Sequence, residues 1–144
     1  MCYSEAMFDH CLYFNTTALA RVLEREWTRA FKPFGLTPSQ GFMLRAVLDQ
    51  PGMLQSQLAQ ELVISRATAT RSLDGLQKLA LIERHATEHD GRESAIVPTR
   101  KAQAIKDGLN SASGEVTRRL KKGMGSAQFD DTVAKVKMAR GQAG

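Results

Sequence analysis

The chain has 144 residues, of which 42% are hydrophobic, so it can bury one core and is too short for a second full domain. No run approaches the roughly 18 apolar residues of a membrane helix, and the amino terminus carries acids rather than a leading basic cluster, which argues against a secretion signal. The formal charge of +5 favours a polyanionic partner if the basic groups share one face. We therefore expect a single-domain cytoplasmic protein without a membrane segment.

The first predicted element is a long amphipathic helix over about residues 10–34. Its apolar side chains recur at steps of three and four residues, and its charged side chains fall largely between them. Pro33 and Gly35 mark the end of this helix. Thr37 then supplies an N-cap and Pro38 a favourable first helical residue, so a second helix is expected to begin there.

Two shorter helices joined by a tight turn are predicted next. Residues 54–62 keep the helical period, and Ser65 can cap a further helix over residues 66–79. Helices connected so closely form a helix-turn-helix. The residues of the second helix that are expected to face the core are Ala69, Leu73, Leu76 and Leu79.

A small hairpin is predicted to follow this helix pair. Side chains alternate in character over residues 82–87, Asp90-Gly91 is a turn signal, and residues 95–97 form a β-prone return strand that ends at Pro98. The pattern therefore predicts a two- or three-stranded β wing beside the helix-turn-helix.

Two more helices are predicted after the hairpin. Thr99 caps a long helix that Gly108 and Gly114 weaken by about 1 kcal/mol each relative to alanine, so tertiary or partner contacts must hold it. The glycines within residues 123–126 end this helix, and a last helix extends to about residue 140. We therefore expect a mainly α fold, with a winged helix-turn-helix between long N- and C-terminal helices.

The terminal helices carry more apolar residues than a small winged core needs. On a monomer these residues would leave a large exposed patch, which a two-fold partner can bury. We therefore expect a homodimer whose recognition helices lie about 34 Å apart, one DNA turn, which predicts an inverted-repeat binding site. The residues expected in the patch are Leu12, Leu19, Leu23, Ile105, Leu109, Val116, Phe129, Val133 and Val136.

The helix after Ser65 has one face suited to a DNA major groove. Small and hydroxyl side chains near its start let the backbone approach the bases, and an arginine further along can donate two hydrogen bonds to guanine O6 and N7. The alternative is an ordinary solvated face with two positive charges. The residues opposite the apolar stripe are Ala67, Arg71 and Lys78, with Thr68 and Thr70 on the flanks.

The wing favours the DNA interpretation of this helix. Arg92 at the tight tip is far from any core, and its guanidinium could insert into the narrow, electronegative minor groove beside the helix. Asp90, two residues earlier, could hold Arg92 in place by a bidentate ion pair.

Ordered segments of the chain resemble the MarR family of bacterial transcriptional regulators. They are Leu58-Ala59-Gln60-Glu61-Leu62, the run from Ser65 to Asp74, Leu81-Ile82-Glu83-Arg84, Asp90-Gly91-Arg92 and Val97-Pro98-Thr99. The resemblance covers essentially the whole chain, residues 1–144, as one MarR-like domain. It implies dimerisation helices over about residues 8–34 and 100–140, and a winged DNA-binding module over about residues 37–98.

The resemblance also implies a function. The protein would be a sequence-specific transcriptional regulator, which we expect to be a repressor, that binds double-stranded DNA at a palindromic operator as a homodimer. A small molecule or an oxidant would release it, and no cofactor is expected. By resemblance Arg92, supported by Asp90, reaches the minor groove. The residues that the resemblance places at the major groove are Ser65, Arg66, Ala67, Thr68, Thr70 and Arg71.

Two residues depart from the family's pattern. Ala80 stands where the family usually has a glycine that ends the recognition helix, so a left-handed cap there would cost about 1 kcal/mol. Pro98 stands where leucine is common before Thr99, which would shorten the second strand of the wing.

Cys11 is a candidate redox sensor. It lies near the start of the first helix beside Tyr13 and Phe14, a neighbourhood that resembles the organic-hydroperoxide sensors of the family. The alternative is that Cys11 is a small packed apolar residue. Together with Cys2, expected to be a mobile terminal thiol, it is too little for a disulfide framework.

The histidines and several aromatic residues are the remaining candidates for a metal or ligand site. His10 on the first helix is distant from His85 and His89 on the wing, so no metal site built from all three is expected. A pocket for an aromatic or phenolic effector could form between the dimer helices and the winged module. Its candidate walls, which are otherwise core residues, are Phe14, Trp27 and Met43.

An enzyme is not expected, because the chain lacks a phosphate-cradling glycine loop, a metal-ligand pair at helical spacing and a nucleophile with a sequence-readable base. The competing interpretation is a winged module that binds protein rather than DNA. Arg71 and Arg92 distinguish the two, because their loss should abolish DNA binding and leave dimerisation intact.

Overall fold

The structure, a computed structural model that describes residues 6–87 and 93–143, is mainly helical with one small antiparallel sheet. None of the helices in these ranges has the length and apolar character needed to cross a membrane. The elements are α1 (Leu12–Phe31), a 3-10 turn (Lys32–Phe34), α2 (Pro38–Asp49), β1 (Met53–Leu54), α3 (Gln55–Glu61), α4 (Arg66–Lys78), β2 (Ile82–Ala86), β3 (Ser94–Pro98), α5 (Arg100–Met124) and α6 (Ser126–Ala143).

The boundary between α1 and α2 follows local signals. The α-helical part of the first helix ends at Phe31, and Gly35 then adopts a left-handed φ of 71° that reverses the chain. Thr37 and Gln40 form a reciprocal capping box: Thr37 Oγ1 accepts from the Gln40 N–H at 3.2 Å, and Gln40 Oε1 accepts from the Thr37 N–H at 3.0 Å. The predicted start of α2 is therefore confirmed.

The prediction of a helix over residues 54–62 is wrong at its first residue, Leu54. Met53 and Leu54 form β1, which pairs with Ile96 and Ala95 of β3, and α3 begins only at Gln55. The sheet has three strands in the order β1-β3-β2. A two-residue strand has no period of its own, because its conformation is set by a partner far along the chain.

Helix α4 buries the predicted stripe, with one exception. Ala69, Leu73 and Leu76 are fully buried, whereas Leu79 is exposed. The exception arises because α4 ends at Lys78, so Leu79 is its C-cap and no longer follows the helical period. Ala80 then takes the left-handed conformation that a glycine would favour, with φ of 59°.

The wing strands pair in the predicted antiparallel hairpin. β2 and β3 are in register from Ile82 with Pro98 to Ala86 with Ser94. Pro98 is the last residue of β3, which agrees with the predicted end of the return strand. Directly beyond it the Thr99 N–H donates to Leu81 O at 3.1 Å, which brings the start of α5 against the end of α4.

The core lies between α2, α4, α5 and the sheet, with the end of α1 packed into it. Phe31 is fully buried, and its ring lies against Gly41 of α2 so closely that a Cβ at Gly41 would stand 2.3 Å from two ring carbons. The largest fully buried side chains are Phe31, Met43, Leu44, Leu58, Leu73, Leu76, Ile82, Ile96 and Leu109.

The expected apolar patch on the terminal helices is smaller than predicted. Leu109 and Val116 are buried within the chain, because α5 packs against α1 and α2, so neither belongs to an exposed patch. Leu12 and Leu19 on α1 and Val133 and Val136 on α6 are exposed. Helix α6 has no buried residue at all among those described.

Candidate nucleic-acid interface

Helix α4 begins with a tight and well-capped turn. Ser65 Oγ accepts a hydrogen bond from the Thr68 N–H at 3.1 Å and donates to Thr68 Oγ1 at 2.9 Å. Val63, in the turn between α3 and α4, has a positive φ of 56°, which is rare for a β-branched residue. This turn places the start of α4 at the surface, where Ser65, Arg66 and Ala67 are exposed.

The face of α4 opposite its buried stripe is exposed along its length. Arg71 is exposed, and its Nη2 donates to Thr68 Oγ1 at 3.3 Å, which points the guanidinium toward the helix start. Five of the six residues that the resemblance placed at the major groove lie exposed together on this helix start: Ser65, Arg66, Ala67, Thr70 and Arg71.

The sixth residue, Thr68, is less exposed than the other five. It is half-buried and lines a cavity of about 460 Å³ between α1, α2 and the start of α4. Its hydroxyl nevertheless contacts both Ser65 and Arg71, so it joins the cavity wall to the exposed face.

Thr70 has a fixed rather than a free hydroxyl. Its Oγ1 donates to Arg66 O at 2.9 Å and accepts from Gln55 Nε2 at 2.8 Å. Gln55, the first residue of α3, was not predicted at this surface. No sequence pattern marks it, because the contact forms only once α3 and α4 are packed together.

Arg84 of β2 is the second residue that the sequence did not single out. Its Nη1 lies 2.9 Å from Asp74 Oδ1 and donates to Gln77 Oε1 at 2.6 Å, and its Nη2 donates to Thr70 O at 3.5 Å. Asp74 is an exposed acid on the otherwise cationic face of α4, and Arg84 offsets its charge there. Arg84 thus attaches the wing to α4, and it neutralises a carboxylate that would otherwise repel a polyanion.

Asp90 and Arg92, predicted to reach the minor groove, and His89 lie outside the described residues. His85 on β2 is described, and its Nε2 lies 3.0 Å from Glu83 Oε2. Within residues 6–87 and 93–143 no three His, Cys, Asp or Glu side chains come close enough to hold a metal ion.

The cavity beside Thr68 includes only one of the three predicted pocket residues. Trp27 lines it, while Met43 is fully buried in the core, and Phe14 packs against Phe8 with ring centroids 5.6 Å apart. Glu24 is the charged residue of the wall. The lining residues are Ala20, Leu23, Glu24, Trp27, Pro38, Ser39, Phe42, Leu62, Ile64 and Thr68.

Cys11 is not a packed apolar residue. It is exposed and serves as the N-cap of α1, where its Sγ accepts from the Phe14 N–H at 3.5 Å. The thiol of Cys11 is therefore accessible from solvent. Cys2 lies outside the described residues.

Part of the chain is similar in sequence to known transcriptional regulators. Residues 34–93 match the model of the MarR family. The chain is 28% identical over 87 residues to the HTH-type transcriptional regulator YybA of Bacillus subtilis, covering 60% of this chain and 58% of that protein. It is 30% identical over 88 residues to the HTH-type transcriptional regulator MgrA of Staphylococcus aureus, covering 61% of this chain and 60% of that protein.

These alignments span less than two thirds of either relative's length. The three-dimensional similarity extends further. The structure of MepR from S. aureus in complex with DNA superposes with a TM-score of 0.83 at 17% identity, covering 94% of this chain and all of that one. At this identity the similarity demonstrates a shared winged helix-turn-helix fold.

Proposed function

We propose that the chain is a member of the MarR family, whose model matches residues 34–93, and that it is a transcriptional regulator that binds specific sites on double-stranded DNA. The observation that carries this proposal is the exposed, capped start of α4, where small residues and Arg71 share one face. A helix with this surface can enter the major groove and read guanine through its arginine. The MepR structure, which contains DNA, supports the same use of the fold.

The residues proposed for the major groove differ in the role that each side chain can play at the DNA. Arg66 and Arg71 are exposed cations that can contact phosphate or base edges, and Ala67 allows close approach. The hydroxyl of Thr70 is held by Gln55 and Arg66, so we assign it a supporting role. Arg92, supported by Asp90, remains our prediction for the minor groove.

We propose that the protein acts as a homodimer. Apolar side chains on α1 and α6 are exposed, and a two-fold partner would cover them. Residues 8–34 and 100–140 would then form the dimerisation helices, and residues 37–98 the DNA-binding module, of one domain. Two recognition helices about one DNA turn apart would select an inverted repeat.

We further propose that the protein is a cytoplasmic repressor that a chemical signal releases from DNA. The cavity lined by Trp27 and Thr68 offers space for a small apolar effector, with Thr68 in direct contact with Arg71. Cys11, which is exposed, offers a site for an oxidant. Either signal would act on the position or shape of α4.

Binding to duplex DNA with and without Arg71 tests this function. We expect the wild-type chain to shift the promoter of its own gene in a gel assay, and Arg71→Ala to cost about 1–3 kcal/mol if it contacts a base. Arg25→Ala, which removes an exposed arginine from α1, is the matched control and should change affinity little. Failure of the wild type to bind any duplex at low salt would instead favour a winged module that binds protein.

A further inference from the structure

A polar cluster lies where α1, α2 and α5 meet, away from the exposed face of α4. Ser113 Oγ accepts hydrogen bonds from Trp27 Nε1 at 3.0 Å and from Arg45 Nη1 at 2.9 Å. Arg45 Nε also donates to Asn110 Oδ1 at 2.7 Å. Three helices are thereby connected through one buried hydroxyl. We call Trp27, Arg45, Asn110 and Ser113 the polar joint.

Arg45 carries its charge in an unusual setting. It is half-buried, and burial lowers the pKa of its guanidinium. Its acceptors in the described part of the chain are an amide and a hydroxyl, and its Cζ lies 5.2 Å from the centre of the Phe42 ring. Burying a charge against neutral partners costs free energy that an apolar side chain would avoid. Stability therefore does not explain an arginine here, whereas two directed donors that hold α5 in one orientation do.

Helix α5 is attached to the winged module by hydrogen bonds at two places. At its start, Lys101 Nζ donates to Leu79 O and Thr99 Oγ1 donates to Ala80 O, both at 2.7 Å. The polar joint lies roughly 15–20 Å further along the helix, from a rise of about 1.5 Å per residue. Hydrogen bonds are more directional than apolar packing, so a second attachment constrains the orientation of α5 further than the core alone does. Together the two attachments fix the angle between α5 and the winged module.

We propose that the polar joint sets the separation of the two recognition helices in the dimer, and so determines which spacing of DNA half-sites the protein accepts. Helix α2 belongs to the winged module and α5 to the terminal helices, so the angle between them is transmitted to α4. Arg45 is then a positioning residue that does not contact DNA. This inference rests on the proposed function, DNA binding as a homodimer.

Selection from a library of random duplexes tests the proposal without a known operator. Wild-type protein and Arg45→Met are each used to select duplexes, and the distances between the selected half-sites are compared. We expect the wild type to accept one spacing, because each inserted base pair displaces the second half-site by about 3.4 Å and rotates it by roughly 34°. We expect Arg45→Met to select the same half-site sequence at several spacings.

The control variant is Arg25→Met, which removes one positive charge from the exposed surface of α1 and should keep the wild-type spacing. Trp27 is the only tryptophan of the chain, so its fluorescence reports on the joint directly. Its emission should be unchanged in Arg45→Met, where the hydrogen bond to Ser113 remains, and shifted in Ser113→Ala. Ser113→Ala removes both bonds to the hydroxyl and serves as the second spacing variant if Arg45→Met does not fold.

The possible outcomes distinguish failure of the proposal about the polar joint from failure of the proposed function. A folded Arg45→Met dimer that keeps the single wild-type spacing would overturn the proposal. So would a folded dimer that binds at no spacing, because half-site reading by α4 should survive. If the wild type selects no DNA, the proposed function fails, and the inference fails with it. If Arg45→Lys, which keeps the charge and loses the two-pronged geometry, restores the single spacing, charge rather than geometry is responsible, and the proposal is wrong.

Discussion

The guanidinium of Arg84 on β2 lies 2.9 Å from the carboxylate of Asp74 on α4, so an ion pair ties the wing to the helix proposed to read DNA. The Arg84 side chain is only 22% exposed and also donates to Gln77. We expect Arg84→Met to lower the free energy of unfolding by about 1 kcal/mol, the upper end for a partly exposed pair with additional hydrogen bonds. Urea denaturation measures this change.

The pair Lys135 and Asp131 on α6 is the matched control for this prediction. Its atoms are also 2.9 Å apart, but both side chains are more than half exposed. Lys135→Met should therefore cost less than about 0.5 kcal/mol. A double-mutant cycle on Arg84 and Asp74 with no coupling energy would contradict the prediction.

Val63 is a strained residue whose replacement should stabilise the protein. Its φ of 56° is unfavourable for a β-branched side chain, and its side chain is largely exposed, so little packing is lost on substitution. We expect Val63→Gly to raise the free energy of unfolding by about 1 kcal/mol. This is the net effect of relieving the backbone strain, less the cost of the greater entropy of glycine in the unfolded chain. Ala67→Gly, in the regular helix α4, should have the opposite sign in the same denaturation experiment.

Gly41 should not tolerate even one methyl group. An added Cβ would stand 2.3 Å from the ring of Phe31, which is fully buried and has no free space to move into. We expect Gly41→Ala to destabilise the protein by about 1–3 kcal/mol through overpacking, measured as a fall in melting temperature. Gly123→Ala, at a helical position with nothing within 4 Å, should instead stabilise α5 by up to about 1 kcal/mol. Equal effects of the two substitutions would argue against the packing explanation.

Peroxide should act on DNA binding through Cys11, if an oxidant is the signal. The exposed thiol caps α1, and its oxidation would add polar oxygen at the point where that helix begins. We expect peroxide to weaken DNA binding by the wild type and to leave Cys11→Ser unaffected, as followed by gel shift. Serine can still cap the helix, so the fold is retained in the variant. An equal loss of binding in both proteins would exclude Cys11 as the sensor.

Helix boundaries were predictable here where the signal lies within a few residues. The caps at Thr37, Ser65 and Thr99 depend on side chains that contact backbone three residues away, and all three are present. The left-handed conformation at Ala80 was expected only from the resemblance, because a glycine usually ends this helix in the family. Strand β1 was missed, because its conformation depends on Ile96, more than 40 residues later, with which Met53 pairs.

The exposed arginine of the candidate site was predictable from the helical period, and the residues that support it were not. Arg71 stands opposite the apolar stripe in any regular helix, so its exposure follows from spacing alone. Arg84 was recognised only as a member of an alternating strand and of a segment that resembles the family, although it contacts α4. Ser113 interrupts an apolar stripe, and its partners Trp27 and Arg45 come from helices far away in sequence. Contacts of this kind leave no local pattern.

Helix α6 buries none of its described residues, and Val133, Val136 and Met138 are open to solvent. Most helical stability in proteins comes from packing of an apolar face, so we expect the order of α6 to depend on whatever covers those side chains. If a second copy covers them, the stability of α6 depends on protein concentration. Dilution should then unfold α6 while the DNA-facing half stays folded, and the melting temperature should rise with protein concentration.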